Sequence, residues 1–461
     1  MPVRYPVRMS TGGTKSLLRP DWLGAASLCA VYAGLLLWLM RLLPFWLDEV
    51  TQLVGTTQPT FRAFLAYHRY NAGGVPLGYL LQFWLIGIFG SGYVTARLPS
   101  AIASLLACLT LAALGREAGI RSRTVLLAAF MILPIQLRYA VEGRNYSHGL
   151  LFAAAATLCL VKLDRAPGIG RGVLYALAVA ASFYSQGFAA FIQPGQVLSL
   201  AILRRWRSFA IACAALTAAL LSFLPWYLWT RPGWQHTISS LSLRFEASPH
   251  IALVLLREIA GDGWAASVPL IAGAVYGFTR MDRRMGLMLA YGILSGIVVG
   301  LAIDYRYHYF FAVRQFLFVV PAVVLLAVHG LLESRRPLAG AALAALFLGG
   351  ALGKNYTYFS RPREDVAAAA RLLRETVAQG PCVAYVPSDD PRVYALFEPA
   401  LEQHRCDWPP QAPFLAFASN IHSVENDRRE ALAALAAAGY QPGQQRQTGG
   451  TTVIFFRRQN P

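Results

Sequence analysis

The chain has 461 residues, of which 56% are hydrophobic and only 14% are charged. Because a soluble protein carries about 25% charged residues, this composition excludes a soluble globular protein and indicates an integral membrane protein. The net charge of +18 resembles that of a nucleic-acid-binding protein, but most of the excess lies in alternate short segments between apolar runs. That placement is typical of cytosolic loops, so no nucleic-acid partner is predicted.

Long apolar runs recur along the first three quarters of the chain. A helix needs about 20 apolar residues to cross a bilayer. About eleven runs meet or approach this length, at residues 22–43, 97–115, 124–140, 146–163, 172–190, 191–204, 208–228, 264–279, 286–302, 309–332 and 337–353. The sequence therefore predicts an all-α membrane protein with about eleven transmembrane helices.

The basic loops also predict how the chain is oriented. Residues 1–21 form a basic segment before the first span, with no cleavage site after it, which is typical of an uncleaved anchor with a cytosolic amino terminus. Residues 75–90 are apolar too, but if they crossed, Arg116, Arg121 and Arg123 would face outward, against the positive-inside rule. We therefore expect a long first external loop, residues 44–96, within a membrane domain of residues 22–355 in the inner or plasma membrane.

With an odd number of crossings, residues 356–461 are predicted to form an external domain. A helix at 364–379, strands at 382–386, 414–417 and 452–456, and a helix at 428–438 alternate there, which favours a small α/β domain. Cys382 and Cys406 both fall in this external part, where disulfides persist. We expect them to form a disulfide; the alternative is two buried free thiols.

Charged residues gather at the predicted outer ends of the spans. Asp48 and Glu49 follow the first span directly, Glu142 and Arg144 lie in a short loop, and Arg314 lies about one turn inside a span. Ionisable groups at membrane depth are costly, so they indicate a functional site. Simpler interpretations stay open: the acidic pair begins an interfacial helix, Glu142 and Arg144 form an incidental ion pair, and the nearby tyrosines form an interfacial belt.

These residue types fit one kind of chemistry. Arginine side chains bind phosphate well, and a carboxylate can remove a proton from an acceptor hydroxyl or amine. Aromatic rings suit a sugar face or a prenyl chain. The sequence has no nucleotide-binding loop, no Ser-His-Asp set and no D-x-D metal motif. The combination indicates transfer of a sugar from a lipid-linked phosphate without a cofactor. The missing D-x-D motif favours a reaction without a metal, and the alternative of a divalent metal stays open.

Five segments of the chain follow a family pattern. They are Leu47-Asp48-Glu49; Ala96-Arg97-Leu98-Pro99-Ser100-Ala101; Tyr139-Ala140-Val141-Glu142-Gly143-Arg144-Asn145-Tyr146; Tyr309-Phe310-Phe311-Ala312-Val313-Arg314-Gln315-Phe316-Leu317; and, after the last span, Arg363-Glu364-Asp365. With these motifs the chain resembles the GT-C glycosyltransferases that use polyprenyl-phosphate sugars. It is similar to the glycosyltransferase family 39 type, which includes protein O-mannosyltransferases and lipid A aminoarabinose transferases. The resemblance covers about residues 20 to 365.

The resemblance implies a role for each matching residue. Asp48 matches the catalytic base of the first external loop, and Glu49 matches its substrate-binding neighbour. Arg314 matches a basic residue that contacts the lipid phosphate. The remaining matching residues are expected to line the same substrate cavity, and they are Arg97, Glu142, Arg144, Tyr146 and Tyr309. The partners implied are a polyprenyl-phosphate sugar donor and an acceptor that is a glycolipid, a glycan or a protein.

Two other classes of function fit parts of the pattern. A transporter or flippase of lipid-linked sugars would also place charges inside a membrane bundle, but the chain shows no paired halves with matching broken helices. A non-catalytic assembly subunit could keep the same fold. We expect an inverting glycosyltransferase because the charged residues cluster at the ends of the spans and not at their middle.

Overall fold

The computed structural model describes residues 18–70, 76–241, 250–260, 263–307, 313–361, 364–378, 380, 382–408 and 410–459. About three quarters of the structure is helical, and a small sheet lies near the carboxyl terminus. The helices of the membrane part are α1 (Leu18–Leu42), α2 (Leu47–Thr56), α3 (Phe61–Tyr70), α4 (Pro76–Phe89), α5 (Tyr93–Glu117), α6 (Arg123–Met131), α7 (Pro134–Ala140), α8 (Tyr146–Arg165), α9 (Ile169–Ser185), α10 (Ile192–Ile202), α11 (Trp206–Leu241), α12 (His250–Glu258), α13 (Trp264–Arg280), α14 (Arg283–Tyr307), α15 (Val320–Leu332) and α16 (Pro337–Ser360). Two 3₁₀ helices, Gly187–Phe191 and Val313–Val319, lead into α10 and α15.

The helices are those of a multi-pass membrane protein. Within the described residues, each of the predicted spans falls on helical structure, but only seven of the described helices are long and apolar enough to cross a bilayer. An eighth crossing results if α6 and α7, which meet at a bend of 71°, form one broken span. The bend follows from Pro134 at the start of α7, since proline disfavours a helical conformation for the residue before it. The predicted count of eleven is therefore not confirmed.

The segment at 75–90 contains α4, which is short. It has 14 residues, and at 1.5 Å per residue it is about 21 Å long, less than the ~30 Å hydrocarbon core. This length agrees with the expectation that the segment does not cross. Which side of the membrane each loop faces stays a prediction.

Glycines bring α13 and α15 into close contact. A Cβ atom on Gly277 would lie 1.8 Å from the carbonyl oxygen of Leu326, and one on Gly330 would lie 2.3 Å from that of Gly273. Only glycine allows two helix backbones to approach this closely, as is common at helix interfaces in membranes. Because α15 continues the 3₁₀ helix Val313–Val319, this packing also holds the segment that carries Arg314.

The carboxyl-terminal part of the chain, which is called the external domain after its predicted location, is a four-stranded sheet with helices beside it. Its elements are α17 (Val366–Val377), β1 (Cys382–Tyr385), α18 (Arg392–Ala395), a 3₁₀ helix (Pro399–Glu402), β2 (Phe414–Asn420), α19 (Glu425–Ala437), β3 (Tyr440–Thr448) and β4 (Thr451–Arg458). The strand order is β1-β2-β4-β3, with β1 parallel to β2 and the other pairs antiparallel. The predicted α/β character is confirmed.

Strand β3 was not predicted, because its sequence lacks the usual pattern of a strand. Seven of its nine residues are exposed, so it lacks the alternating apolar pattern of a half-buried strand. It also contains Pro442 and Gly443, and its register shifts between Pro442 and Gln445. Proline is tolerated at such an edge position, where one side of the strand needs no hydrogen-bonding partner.

The external domain packs directly on the start of α2. The two share one hydrophobic cluster, which includes Phe45, Val50, Leu53, Val366, Leu373, Tyr394 and Val453. The backbone amide of Val366 also donates to the carbonyl of Phe45 at 3.3 Å. This contact places the external domain beside the acidic pair.

The predicted disulfide between Cys382 and Cys406 is confirmed, and it links the start of β1 to the segment after the 3₁₀ helix Pro399–Glu402. We expect the Cys382→Ser/Cys406→Ser double variant to destabilise the external domain by about 3 kcal/mol, because the bond closes a loop that is otherwise free in the unfolded chain. Thermal unfolding of the purified protein with and without reductant measures this effect. The Cys29→Ser variant, which removes a free thiol, is the control. Equal unfolding temperatures for the double variant and the control would contradict the prediction.

Candidate active site

The acidic pair lies in the first turn of α2, where the two side chains meet different surroundings. Helix α2 begins after Trp46, which is extended, and carboxylates are favoured at such an amino-terminal end. The side chain of Asp48 is 30% exposed, whereas that of Glu49 is 1% exposed. Asp48 is therefore open to a substrate and Glu49 is enclosed.

Glu49 forms a buried ion pair with Arg97 of α5. The Nε and Nη2 atoms of Arg97 each donate to one oxygen of Glu49, both at 2.7 Å. The backbone amide of Gly143 donates to the same carboxylate at 2.6 Å. The other donors of Arg97 bond to backbone carbonyls, those of Met40, Leu43 and Pro44. All five N–H groups of Arg97 are used inside the protein, so this pair ties α1, α2, α5 and the loop after α7 together.

Asp48 faces Arg314, which is distant in sequence. The Nη2 atom of Arg314 lies 3.3 Å from Oδ2 of Asp48, and the side chain of Arg314 is 25% exposed. Its guanidinium also lies 5.6 Å from the ring centre of Trp46 and 6.0 Å from that of Tyr146. The Nε atom is buried and has no hydrogen-bond partner among the described residues. Arg314 therefore keeps donors for a ligand beside Asp48.

Arg144 approaches the same place from the loop before α8. Its Nη1 atom donates to the backbone carbonyl of Asp48 at 3.1 Å and lies 3.5 Å from both Gln52 and Tyr79. In the part of the chain that the structure describes, its Nε atom has no partner. The ring of Tyr146 lies within 6.0 Å of the guanidinium groups of both Arg144 and Arg314. Two arginines and an aromatic ring thus lie close to Asp48, the accessible member of the acidic pair.

Glu142 lies nearby. One interpretation of the sequence was that it forms an ion pair with Arg144, but in the structure its partners are different. Its Oε1 atom accepts from Arg138 at 3.4 Å and from the hydroxyl of Tyr358 at 3.2 Å. The Oε2 atom is buried without a partner in the described residues. Burial, together with the nearby charges of Glu49 and Asp48, raises the pKa of Glu142 to about 7, although Arg138 opposes this rise.

Glu142 should make the stability of the protein depend on pH. The pKa of Glu142 in the folded protein is raised from the ordinary value of 4.5 to about 7. Its ionisation therefore lowers the free energy of unfolding as the pH rises through this window, and the full loss is reached above pH 7. Glu142→Gln has no proton to lose, so we expect its stability relative to the unchanged protein to rise by up to about 3 kcal/mol between pH 5 and pH 8. Thermal unfolding in detergent at both pH values measures this, with the exposed Glu425→Gln as control. Parallel pH profiles for the unchanged and Glu142→Gln proteins would contradict it.

Two residues of the site lie beyond the last membrane helix, and the motifs did not identify them as site residues. Glu364 accepts a hydrogen bond from the backbone amide of Leu47, at the start of α2, at 3.1 Å. His422, after β2, bonds to the other oxygen of Glu364 at 2.9 Å. The sequence signal for Glu364 was the resemblance of Arg363-Glu364-Asp365, just after the last span, to the family, which gave Glu364 no role. Tyr309, which the resemblance assigned to the cavity, lies outside the described residues.

The fold is similar to solved membrane glycosyltransferases. The crystal structure of ArnT from Cupriavidus metallidurans bound to undecaprenyl phosphate has a TM-score of 0.62 to this chain at 14% sequence identity, covering 95% of this chain and 98% of ArnT. The apo state of the same protein gives 0.58 at 12% identity, with the same coverage. The archaeal oligosaccharyltransferase AglB from Archaeoglobus fulgidus, in complex with an inhibitory peptide and a dolichol-phosphate, gives 0.49 at 12% identity, covering 95% of this chain and 74% of AglB.

No protein-family model matches the chain, and no curated protein matches it in sequence. The likeness to ArnT spans nearly the whole of both chains and confirms the predicted resemblance to the GT-C glycosyltransferases in fold. At these sequence identities it shows the fold alone.

Proposed function

We propose that this protein is an inverting glycosyltransferase that moves a sugar from a polyprenyl-phosphate donor to an acceptor hydroxyl or amine. The observation that supports it best is the group formed by Asp48, Arg314 and Arg144, in a fold that in ArnT binds undecaprenyl phosphate. The acceptor is a glycolipid, a glycan or a protein, and the reaction takes place at the outer face of the membrane.

The arginines suit the phosphate of the donor. The guanidinium groups of Arg314 and Arg144 both lie within 6.0 Å of the ring centre of Tyr146, and each has a buried Nε atom that the described residues leave without a partner. A phosphate oxygen would supply the missing acceptor for such donors, and the charges would stabilise the phosphate as it leaves. In a site that is shielded from water these interactions are stronger than in solution.

Asp48 suits the role of base, because it is the accessible member of the acidic pair. In the proposed step its carboxylate takes the proton of the acceptor while the acceptor atom bonds to the anomeric carbon. The bond between that carbon and the phosphate oxygen breaks, and the polyprenyl phosphate leaves with the electron pair. One displacement of this kind inverts the anomeric configuration. Before the donor binds, Arg314 pairs with Asp48. During the reaction Arg314 pairs with the phosphate instead.

Three other predicted site residues hold the elements that carry Asp48 and Arg144. Glu49 and Arg97 hold the start of α2 and the loop that carries Arg144, so their contribution to the reaction is positional. Glu142 holds Arg138 and Tyr358 next to that loop. We propose that these residues set the shape of the donor cavity and that Asp48, Arg144, Arg314 and Tyr146 contact the substrate.

Transfer from a panel of polyprenyl-phosphate sugars by the purified protein in liposomes tests the proposal. We expect Arg314→Ala to weaken donor binding and to lower kcat/KM by at least about tenfold, since charge-assisted hydrogen bonds contribute about 1.5–3 kcal/mol each. Arg280→Ala, which changes an exposed arginine that donates to the hydroxyl of Tyr276 of its own helix, is the control and should keep full activity.

Two results would contradict the proposal. If no donor in the panel is consumed by the unchanged protein, it is not this kind of transferase. If a lipid-linked sugar crosses the liposome membrane without forming a product, the transporter class is favoured instead.

A further inference from the structure

One buried carboxylate joins the external domain to the helix that carries Asp48. Glu364 follows α16, and its side chain is only 5% exposed. Its Oε2 atom accepts from the backbone amide of Leu47 at 3.1 Å, and its Oε1 atom bonds to Nε2 of His422 at 2.9 Å. The first contact is with the beginning of α2, and the second is with the loop between β2 and α19.

The backbone around Glu364 is held from both sides. The amide of Asp365 donates to the carbonyl of Gly449 at 3.1 Å, and that of Val366 donates to the carbonyl of Phe45 at 3.3 Å. A Cβ atom on Gly449 would lie 2.1 Å from the carbonyl oxygen of Asp365, and Gly449 has a φ of +53°. The turn between β3 and β4 therefore needs glycine to pack against this segment. The backbone at Glu364 is therefore fixed by packing and hydrogen bonds on both sides.

The contact with Leu47 serves a helix that has no cap of its own. The first amides of a helix lack partners within the helix, and the side chain of Trp46, which precedes α2, does not cap them. Glu364 supplies the acceptor from 317 residues away. Because Asp48 is the next residue, any shift of this end of α2 changes the distance between Asp48 and Arg314.

We propose that Glu364 is a positioning residue for Asp48, and that His422 allows the external domain to control this position. The inference rests on the function proposed above. His422 is about half exposed at the edge of the site, so a molecule that binds the external domain there would act on Glu364 and, through it, on α2. In keeping with this position, the hydrogen bond with Glu364 raises the pKa of His422, and the charge of Asp48 raises it further.

The test compares Glu364→Ala, Glu364→Gln and His422→Ala in the full-length protein. We expect Glu364→Ala to lower kcat by about tenfold or more while the donor KM changes less than about twofold, since small errors in the position of a catalytic group reduce the rate strongly. Glu364→Gln should restore most of the rate, because its amide oxygen can accept from Leu47 and its amide nitrogen can donate to His422. His422→Ala should lie between Glu364→Ala and the unchanged protein.

The control is Glu398→Ala, which removes another carboxylate of the external domain that pairs with Arg374. It should leave kcat unchanged. A measurement without activity is hydrogen exchange of the amides in residues 45–56, which should become faster in Glu364→Ala and not in Glu398→Ala.

The outcomes separate this inference from the proposed function. If the unchanged protein transfers sugar and Glu364→Ala keeps its rate and its slow exchange, the positioning role is overturned. If Glu364→Gln is as slow as Glu364→Ala, the role through hydrogen bonds is overturned. If Glu364→Ala does not fold, the rates of Glu364→Gln and His422→Ala still decide whether Glu364 positions Asp48. If the unchanged protein transfers no sugar, the proposed function fails, and hydrogen exchange alone decides whether Glu364 positions α2.

Discussion

Asp48→Asn is expected to lower the rate of sugar transfer by about 10²-fold or more, the usual contribution of a general base. The substitution keeps the size of the side chain and leaves an oxygen for Arg314, but it removes the group that accepts the proton. Donor binding should change much less, because the phosphate is assigned to the arginines. Transfer and donor binding measured on the same preparation in liposomes give both quantities.

Asp390→Asn is the matched control for this experiment. Asp390 forms an exposed ion pair with Arg392 of the external domain and takes part in none of the contacts described for the proposed site, so its replacement should leave the rate unchanged. Full activity of Asp48→Asn would remove Asp48 from the mechanism. Glu142, the other carboxylate near the site with an unpartnered oxygen in the described chain, would then be the next candidate base.

Arg97→Met is expected to destabilise the protein by about 3–5 kcal/mol, which is the cost of leaving one member of a buried ion pair without its partner. Arg97 and Glu49 are each only 1% exposed, and the substitution also leaves three backbone carbonyls without their donor. The effect should appear as a lower unfolding temperature in detergent and a lower yield of folded protein. Adding Glu49→Gln should recover part of the loss, since the double variant no longer buries an unpaired charge.

Arg121→Met provides the control, because Arg121 forms an exposed pair with Glu333. Surface ion pairs of this kind contribute about 0–1 kcal/mol, so this variant should unfold close to the unchanged protein. If Arg97→Met unfolds at the same temperature as Arg121→Met, the bonds of Arg97 do not hold the start of α2 as we infer.

The class of the protein could be predicted from residues that lie close together in sequence. Apolar runs of a helix length, with arginines in alternate loops, indicated a multi-pass membrane protein, because the bilayer imposes the same requirement on every crossing segment. The alternation of short helical and strand patterns after residue 360 indicated the α/β domain for a similar local reason. Strand β3 escaped because an exposed edge strand needs no apolar pattern.

The length of the individual helices was harder to predict from the sequence. Residues 124–140 have the composition of one span, but Pro134 divides them into α6 and α7 with a bend of 71°. Composition alone does not distinguish one crossing helix from two short helices at an angle, because both bury the same apolar side chains.

The partners of the charged residues were decided only by the tertiary structure. The sequence by itself predicted that Asp48, Glu49 and Arg314 belong to a site, since ionisable residues are costly near a membrane and need partners. Only the folded chain assigns Arg97 to Glu49 and Arg314 to Asp48, which makes one acid structural and the other accessible. It also brings in Glu364 from beyond the last helix. These pairings join residues that are 48, 266 and 317 positions apart, and no local pattern encodes which distant donor a carboxylate will meet.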